Sequence, residues 1–138
     1  MSRVTRFSVS LDEDLVRTFD RRIAEQKVPT RSKAIGDLIR QSLIDKEWAG
    51  GQEVAGAVIL VYDHHLSDVV RKINAVQHDF HPHILATQHF HLDHDHCLEI
   101  VAVRGRPADL ESLTRRLRAL KGIKSVSLAA TSTGQHLP

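Results

Sequence analysis

Cysteine is nearly absent from this chain. Its 138 residues contain one, Cys97, so no disulfide can form within it and its stability has to come from packing. A lone thiol also fits a reducing compartment. Aromatic residues make up 4% of the chain, so its core has to be aliphatic, and a hydrophobic fraction of 41% is enough to build one. No apolar run is long enough to span a bilayer, and the opening residues MSRVTRF lack the apolar segment of a secretion signal. A cytoplasmic protein without membrane contact is expected. The formal net charge of +2 is too mild to announce a nucleic-acid partner by itself. No internal repeat or low-complexity tract appears, and the length allows one or two small domains.

Histidine is abundant, and it is concentrated. Seven of the ten histidines and the only cysteine fall in HDFHPHILATQHFHLDHDHC, residues 78–97. Imidazole and thiolate together suit late divalent metal ions. Residues 84–92 alternate in the manner of a strand, which puts His89 and His91 on one face. A polar turn, Asp93-His94-Asp95-His96, leads into a returning strand with Cys97 and Glu99 on one face and Leu98, Ile100 and Ala102 on the other. If the apolar faces pair as core, His89, His91 and Cys97 meet on the opposite face, one ligand short of four.

The N-terminal part has a different pattern. Phe7, Val9 and Leu11 alternate with Arg6, Ser8 and Ser10 over a strand-length segment. A lone strand does not persist in water, and nothing else in the first 50 residues reads as its partner. The same strand of a second chain is the expected mate. Asp12 caps a first helix carrying Leu15, Val16, Phe19 and Ile23, and Pro29 ends it. Thr30 caps a second helix, striped with Ala34, Ile35, Leu38, Ile39 and Leu43. A unit this small cannot bury its own core, which argues for an obligate dimer.

RFSVSLDEDL followed by PTRSKAIGDLIRQSL resembles the ribbon-helix-helix DNA-binding family. That family pairs two strands into a ribbon that fits the major groove of double-stranded DNA. The resemblance makes Arg6, Ser8 and Ser10 the readers of base edges. It makes Thr30, Arg31 and Ser32 phosphate contacts through the N-terminus of the second helix. The domain is expected over residues 1–48, and residues 49–53, AGGQE, form a linker by composition.

Residues 54–131 read as strand (54–62), helix (66–78), strand (83–92), strand (97–103), helix (107–120) and strand (124–130). This is the βαββαβ order of ferredoxin-like domains, so the chain as a whole is expected to be α+β. The tail after Thr131 reads as disordered. Both helices belong on one face of the sheet. The expectation places the ligand triad on the other, bare face, where Val101 and Val103 would pack against a second subunit. A residue ending the helix 66–78 then cannot reach its own chain's triad, and His78 becomes the candidate fourth ligand from a neighbouring subunit.

VYDHH at 61–65, QH at 77–78 and HFHLDHDHCLE at 89–99, behind a ribbon-helix-helix segment, resemble the nickel-responsive transcription regulator family, NikR. The likeness covers about residues 3–130. Its pattern H-x(10)-H-x-H-x(5)-C falls on His78, His89, His91 and Cys97. The resemblance implies an ACT-type second domain and a homotetramer built as a dimer of dimers. It implies planar Ni(II) sites at the tetramer interface and nickel-dependent repression at a palindromic operator, with no enzymatic activity. Tyr62, Gln77 and Glu99 are expected to orient the ligands by hydrogen bonds. His64 and His65 are expected as supports of this kind or alternative ligands, against an exposed pair at a strand end. His81, His83, His94 and His96 read as surface residues or weak sites for excess metal, and Trp48 as a packing residue. The family often has an acidic residue where this chain has Lys33, beside Asp37, and a lysine there would replace a bound cation. Gly36 inside the second helix costs about 1 kcal/mol relative to Ala. The alternative reading is an ACT-domain regulator that responds to another metal or to an amino acid. A metal-dependent hydrolase is disfavoured, because only Glu99 offers a carboxylate base and the N-terminal half would go unexplained.

Overall fold

The structure is a computed structural model describing residues 3–138. It divides into two compact units, Met1–Gln41 and Ser42–Pro138.

One helix and the first part of another belong to the first unit, and the second helix runs on into the second unit. Helix α1, Glu13–Glu25, starts where the Asp12 side chain accepts from the N–H groups of Asp14 (2.9 Å) and Leu15 (3.3 Å), with Glu13 and Asp14 in the first turn. It ends at Lys27, whose φ of 56° is left-handed. The Lys27 N–H reaches the Ala24 carbonyl and the Val28 N–H the Ile23 carbonyl, at 3.0 and 2.9 Å, so the turn satisfies carbonyls that the helix would leave open. Helix α2, Arg31–Ala49, begins with Thr30 Oγ1 accepting from the Lys33 N–H at 3.1 Å. Residues 3–12 are exposed and belong to no ladder within the chain. A strand is defined by its pairing, and the segment 6–11 finds no mate in its own chain. Among the described residues of this unit only Ile23 and Ala34 are buried hydrophobics. Phe7 stays 68% exposed, and Val9, Leu11, Leu15, Leu38 and Ile39 are exposed with it.

The second unit has a four-stranded antiparallel sheet. Its strands are β1 (Val54–Asp63), β2 (Ile84–His91), β3 (His96–Gly105) and β4 (Ile123–Thr131), in the order β2-β3-β1-β4. Helix α3, Ser67–Asp79, and helix α4, Pro107–Arg118, cross between strands. This is the expected βαββαβ order, with one addition, a short 3₁₀ turn at His81–His83. Apolar side chains recur at helical spacing, Val69, Ile73 and Val76 on α3 and Leu110, Leu113 and Leu117 on α4. They pack on one sheet face made of Val54, Val58, Leu60, Tyr62, Cys97, Val101 and Val103. Trp48 packs against the same core, and its Nε1–H donates to the Thr131 carbonyl at 2.8 Å. Gly122, at φ 97°, turns the chain from α4 into β4 where any Cβ would collide with Val69. After Thr131 the chain has no regular structure but carries a turn, in which Gly134 N–H donates to Ser132 Oγ at 3.0 Å.

The choice of covered face reverses the expectation. Cys97, Glu99, Val101 and Val103 lie under α3 and α4, and Leu98, Ile100 and Ala102 lie on the opposite side, half-buried. Val101 and Val103 are therefore core residues of their own chain and not a surface for a second subunit. The placement of the helices and the ligand triad on opposite faces is likewise overturned. Period-two alternation tells which residues share a face, and here both faces of β3 are apolar enough to serve as core.

Replacing Lys27 by Gly removes the cost of a side chain in the left-handed region. Lys27→Gly is expected to stabilise the N-terminal unit by about 1 kcal/mol, read from chemical denaturation followed by circular dichroism.

Candidate metal centre

Strand register brings the sequence-predicted ligands to one face. His91 pairs with Cys97 across β2 and β3, His89 pairs with Glu99, and Tyr62 of β1 pairs with Cys97 on its other side. Cys97 thus lies between His91 and Tyr62 and is buried, whereas His89 and His91 on the edge strand are exposed.

Glu99 organises this face. It is 1% exposed, and a buried carboxylate is costly unless its oxygens are bonded. Gln77 Nε2 donates to Glu99 Oε2 at 2.9 Å, and His89 Nε2 lies 2.9 Å from Oε1. Burial pushes the Glu99 carboxyl above its usual range, while His89 and Gln77 pull it back. With Nε2–H donated to Glu99, His89 keeps a lone pair on Nδ1, 3.4 Å from the Tyr62 hydroxyl. Burial, helped by the neighbouring Glu99 and Cys97, raises the Tyr62 hydroxyl well above its usual range and keeps it protonated. Thr87 Oγ1 donates to Gln77 Oε1 at 3.4 Å and extends the chain of bonds from α3 to β2. Of Tyr62, Gln77 and Glu99, the structure places Glu99 and the Tyr62 hydroxyl beside His89, and Gln77 reaches it only through Glu99. Thr87 was not anticipated, although its register on the His89 face was readable.

His78 follows Gln77 at the end of α3, exposed, with its ring stacked on His81 at 5.9 Å between centroids. Within one chain no three of His78, His89, His91 and Cys97 hold donor atoms within 4.8 Å of one another. His64 and His65 turn away from the triad, and both Nε2 atoms lie against the His94 carbonyl oxygen, at 2.8 and 3.0 Å. Only the His64 ring keeps a link, edge-on to His91 at 5.1 Å. The donor set fits a late divalent ion: two imidazoles and a thiol share one face, each within a strand's reach of the next.

The residues expected to meet DNA, Arg6, Ser8, Ser10, Thr30, Arg31 and Ser32, are all exposed. Thr30 is occupied as the cap of α2. The Arg31 guanidinium is held by Asp20 through two bonds, Nε to Oδ1 at 2.8 Å and Nη2 to Oδ2 at 2.6 Å, which keeps the Asp20 carboxyl below its usual range. What α2 offers a phosphate is the backbone N–H of Arg31 and Ser32, which have no acceptor inside the helix. Lys33 Nζ lies 2.7 and 2.9 Å from the two oxygens of Asp37, as its charge dictates.

A helical N-terminal unit with an unpaired polar–apolar segment, followed by a sheet domain with imidazole and thiol donors, is the organisation of a metal-responsive DNA-binding regulator. Residues 55–131 match the family described as the NikR C terminal nickel binding domain, and residues 5–46 match the ribbon-helix-helix protein, copG family. Among similar curated proteins, one from Syntrophus aciditrophicus is 53% identical over 98% of each chain. Another, from Chlorobium phaeobacteroides, is 49% identical over 96% of this chain and 98% of its own. A third, from Desulfotalea psychrophila, is 48% identical over 96% and 97%. All three are named as nickel-responsive regulators. The solved structure of an uncharacterized Thermotoga maritima protein superposes with a TM-score of 0.54 at 13% identity, covering 59% of this chain and all of its own, a likeness of fold alone. The chain belongs to the nickel-responsive regulator family, with a ribbon-helix-helix DNA-binding domain and the family's Ni(II)-binding C-terminal domain. It is a family of regulators and not of enzymes. No helix among the described residues is long and apolar enough to cross a membrane.

The hairpin between β2 and β3 is held by Asp93. Its Oδ1 accepts from the N–H groups of Asp95 and His96, each at 2.8 Å, and its carboxylate meets His96 Nδ1 at 2.9 Å. These bonds, the His96 ring first, lower its carboxyl to about 2. The depressed value means that its stabilisation is complete above the usual carboxylate range and is lost as pH falls through about 2. A carbon-13 titration of the Asp93 carboxyl is expected to place its midpoint there, and Asp93→Asn to abolish that pH dependence.

Proposed function

We propose that this protein is a cytoplasmic transcriptional repressor that binds a palindromic operator when Ni(II) fills sites shared between its subunits, with nickel-uptake genes as its targets. One observation carries the reading. His89, His91 and Cys97 share a face with Tyr62, Gln77 and Glu99, yet they lack a fourth donor, while His78 ends α3 with an exposed ring. His89, His91 and Cys97 of one chain with His78 of another make a set of three imidazoles and one thiolate. When bound, Ni(II) contributes a free-energy preference for the assembly in which four donors from two chains meet.

The protein residues do the rest. Glu99 fixes the His89 tautomer, and Gln77 ties that carboxylate to α3, so the ring of His89 and the end of α3 move together. The exposed Phe7, Val9, Leu11, Leu15, Leu38 and Ile39 support pairing of two N-terminal units. Each large side chain so buried is worth about 1.5–3 kcal/mol. Pairing would give segment 6–11 its missing ladder and present Arg6, Ser8 and Ser10 on the polar side of a ribbon, flanked by Thr30, Arg31 and Ser32. The uncovered sheet face, with Ile59, Val61, Phe90, Leu98 and Ile100, supports a further contact between copies, giving a dimer of dimers. An assembly preference of about 1–3 kcal/mol is enough to couple metal to operator.

Cys97→Ala is expected to remove the nickel dependence of operator binding in a gel-shift assay, whereas a Cys97→Ala protein that still responds to nickel overturns the site. Mixed assemblies test the sharing: chains carrying His78→Ala and chains carrying Cys97→Ala should recover, on co-assembly, the thiolate–nickel charge-transfer band that each lacks alone. Glu99→Gln is expected to weaken Ni(II) binding about 10–100-fold in competition with a chelator, with circular dichroism unchanged.

A further inference from the structure

The ligand proposed at the end of α3 is flanked on both sides by tethered residues. Gln77, one residue before His78, donates from Nε2 to the buried Glu99 of β3 at 2.9 Å. Asp79, one residue after it, accepts through Oδ2 from Arg116 Nη2 of α4 at 2.8 Å. Successive helical residues project about 100° apart. The exposed His78 ring therefore leaves the helix between one side chain fixed to the sheet and another fixed to α4.

Asp79 breaks a local rule. It is the last residue of α3, at the negative end of the helix dipole, where a carboxylate is disfavoured. Arg116 supplies the compensating cation, from a helix whose neighbouring residues Leu113 and Leu117 are buried in the core. The same guanidinium lies over the Phe80 ring, its Cζ 5.3 Å from the centroid. Phe80 packs against the core, and its N–H closes α3 on the Gln77 and Val76 carbonyls at 3.1 and 3.3 Å. Its carbonyl accepts from the His83 N–H at 2.9 Å. One arginine thus holds two consecutive residues, the last of α3 and its cap. Both members of the ion pair are about half-exposed, and such a pair contributes little to stability. A carboxylate at a disfavoured position, paired with little gain in stability, points to a role in geometry.

We infer that Arg116 is a positioning residue for His78. The inference rests on the reading of His78 as the ligand given to a neighbouring chain. By holding Asp79 and Phe80, Arg116 fixes the last turn of α3, and with it the direction in which the His78 imidazole leaves its own chain. A donor that must meet three others on a different subunit binds more weakly when its backbone is free, because that freedom is lost on binding. Arg116 acts through the backbone and not as a ligand, since a guanidinium has no lone pair to offer a metal.

Competition between the full-length protein and a chelator for Ni(II) tests the assignment. Arg116→Ala is expected to weaken binding about 10-fold. Arg116→Lys keeps a cation beside Asp79 and Phe80 and should recover most of the loss. Asp79→Ala should match Arg116→Ala, and both metal-free variants should unfold near the wild-type temperature. The decisive comparison uses a His78→Ala background. There Arg116→Ala should add no further loss, whereas a general loosening of the fold would weaken binding with or without His78. The inference is overturned if His78→Ala weakens binding and Arg116→Ala does not, or if Arg116→Ala weakens it equally in both backgrounds. If His78→Ala itself leaves the affinity unchanged, the shared ligand set falls, and the role of Arg116 falls with it.

Discussion

A carboxylate with almost no access to water holds the second domain's working face together. Glu99 is deep in an aliphatic core, where an unbonded carboxylate would cost several kcal/mol. Gln77 from α3 and His89 from the edge strand answer that cost, and Thr87 takes up the remaining end of Gln77. One buried charge therefore links helix, central strand and edge strand through side chains that have little other freedom. In the same stroke it selects the ring nitrogen that His89 keeps available. The His89 ring and the end of α3 are linked through a carboxylate that water scarcely reaches.

The N-terminal unit depends on the opposite condition. Its apolar residues are left out in the solvent by a single chain, and its first ten described residues have backbone groups with no ladder to join. Nothing in the local chemistry is faulty: Asp12 and Thr30 cap their helices, and Lys27 even accepts a left-handed turn. The unit is short of mass and not of order, because a segment this size cannot enclose a core alone. Its glycine at position 36 has only the Arg40 side chain near it within the chain, so nothing in one subunit requires a missing Cβ.

The regulator we propose follows from these two kinds of incompleteness. In that proposal a donor set short of one imidazole and a segment short of one partner strand would both be completed by more copies of the same chain. Metal and DNA would then act on one equilibrium of assembly and arrangement, each favouring what the other needs.

Element positions were legible because they are written in neighbours along the chain. Alternation over 84–92 and 97–103 and the Asp12 and Thr30 caps each specify a local geometry, and all of them formed close to the expected residues. The sharing of a face by His89, His91, Cys97 and Glu99 was equally readable, since period two leaves no choice once the strands pair. Which face the helices cover was not readable. Cys97, Val101 and Val103 compete with Leu98, Ile100 and Ala102 on equal terms of hydrophobicity, and a glutamate in the first set points the wrong way. Only the tertiary structure decided it, because α3 supplies Gln77 at the depth where Glu99 needs a donor, and a carboxyl whose oxygens are bonded can be accommodated in a core.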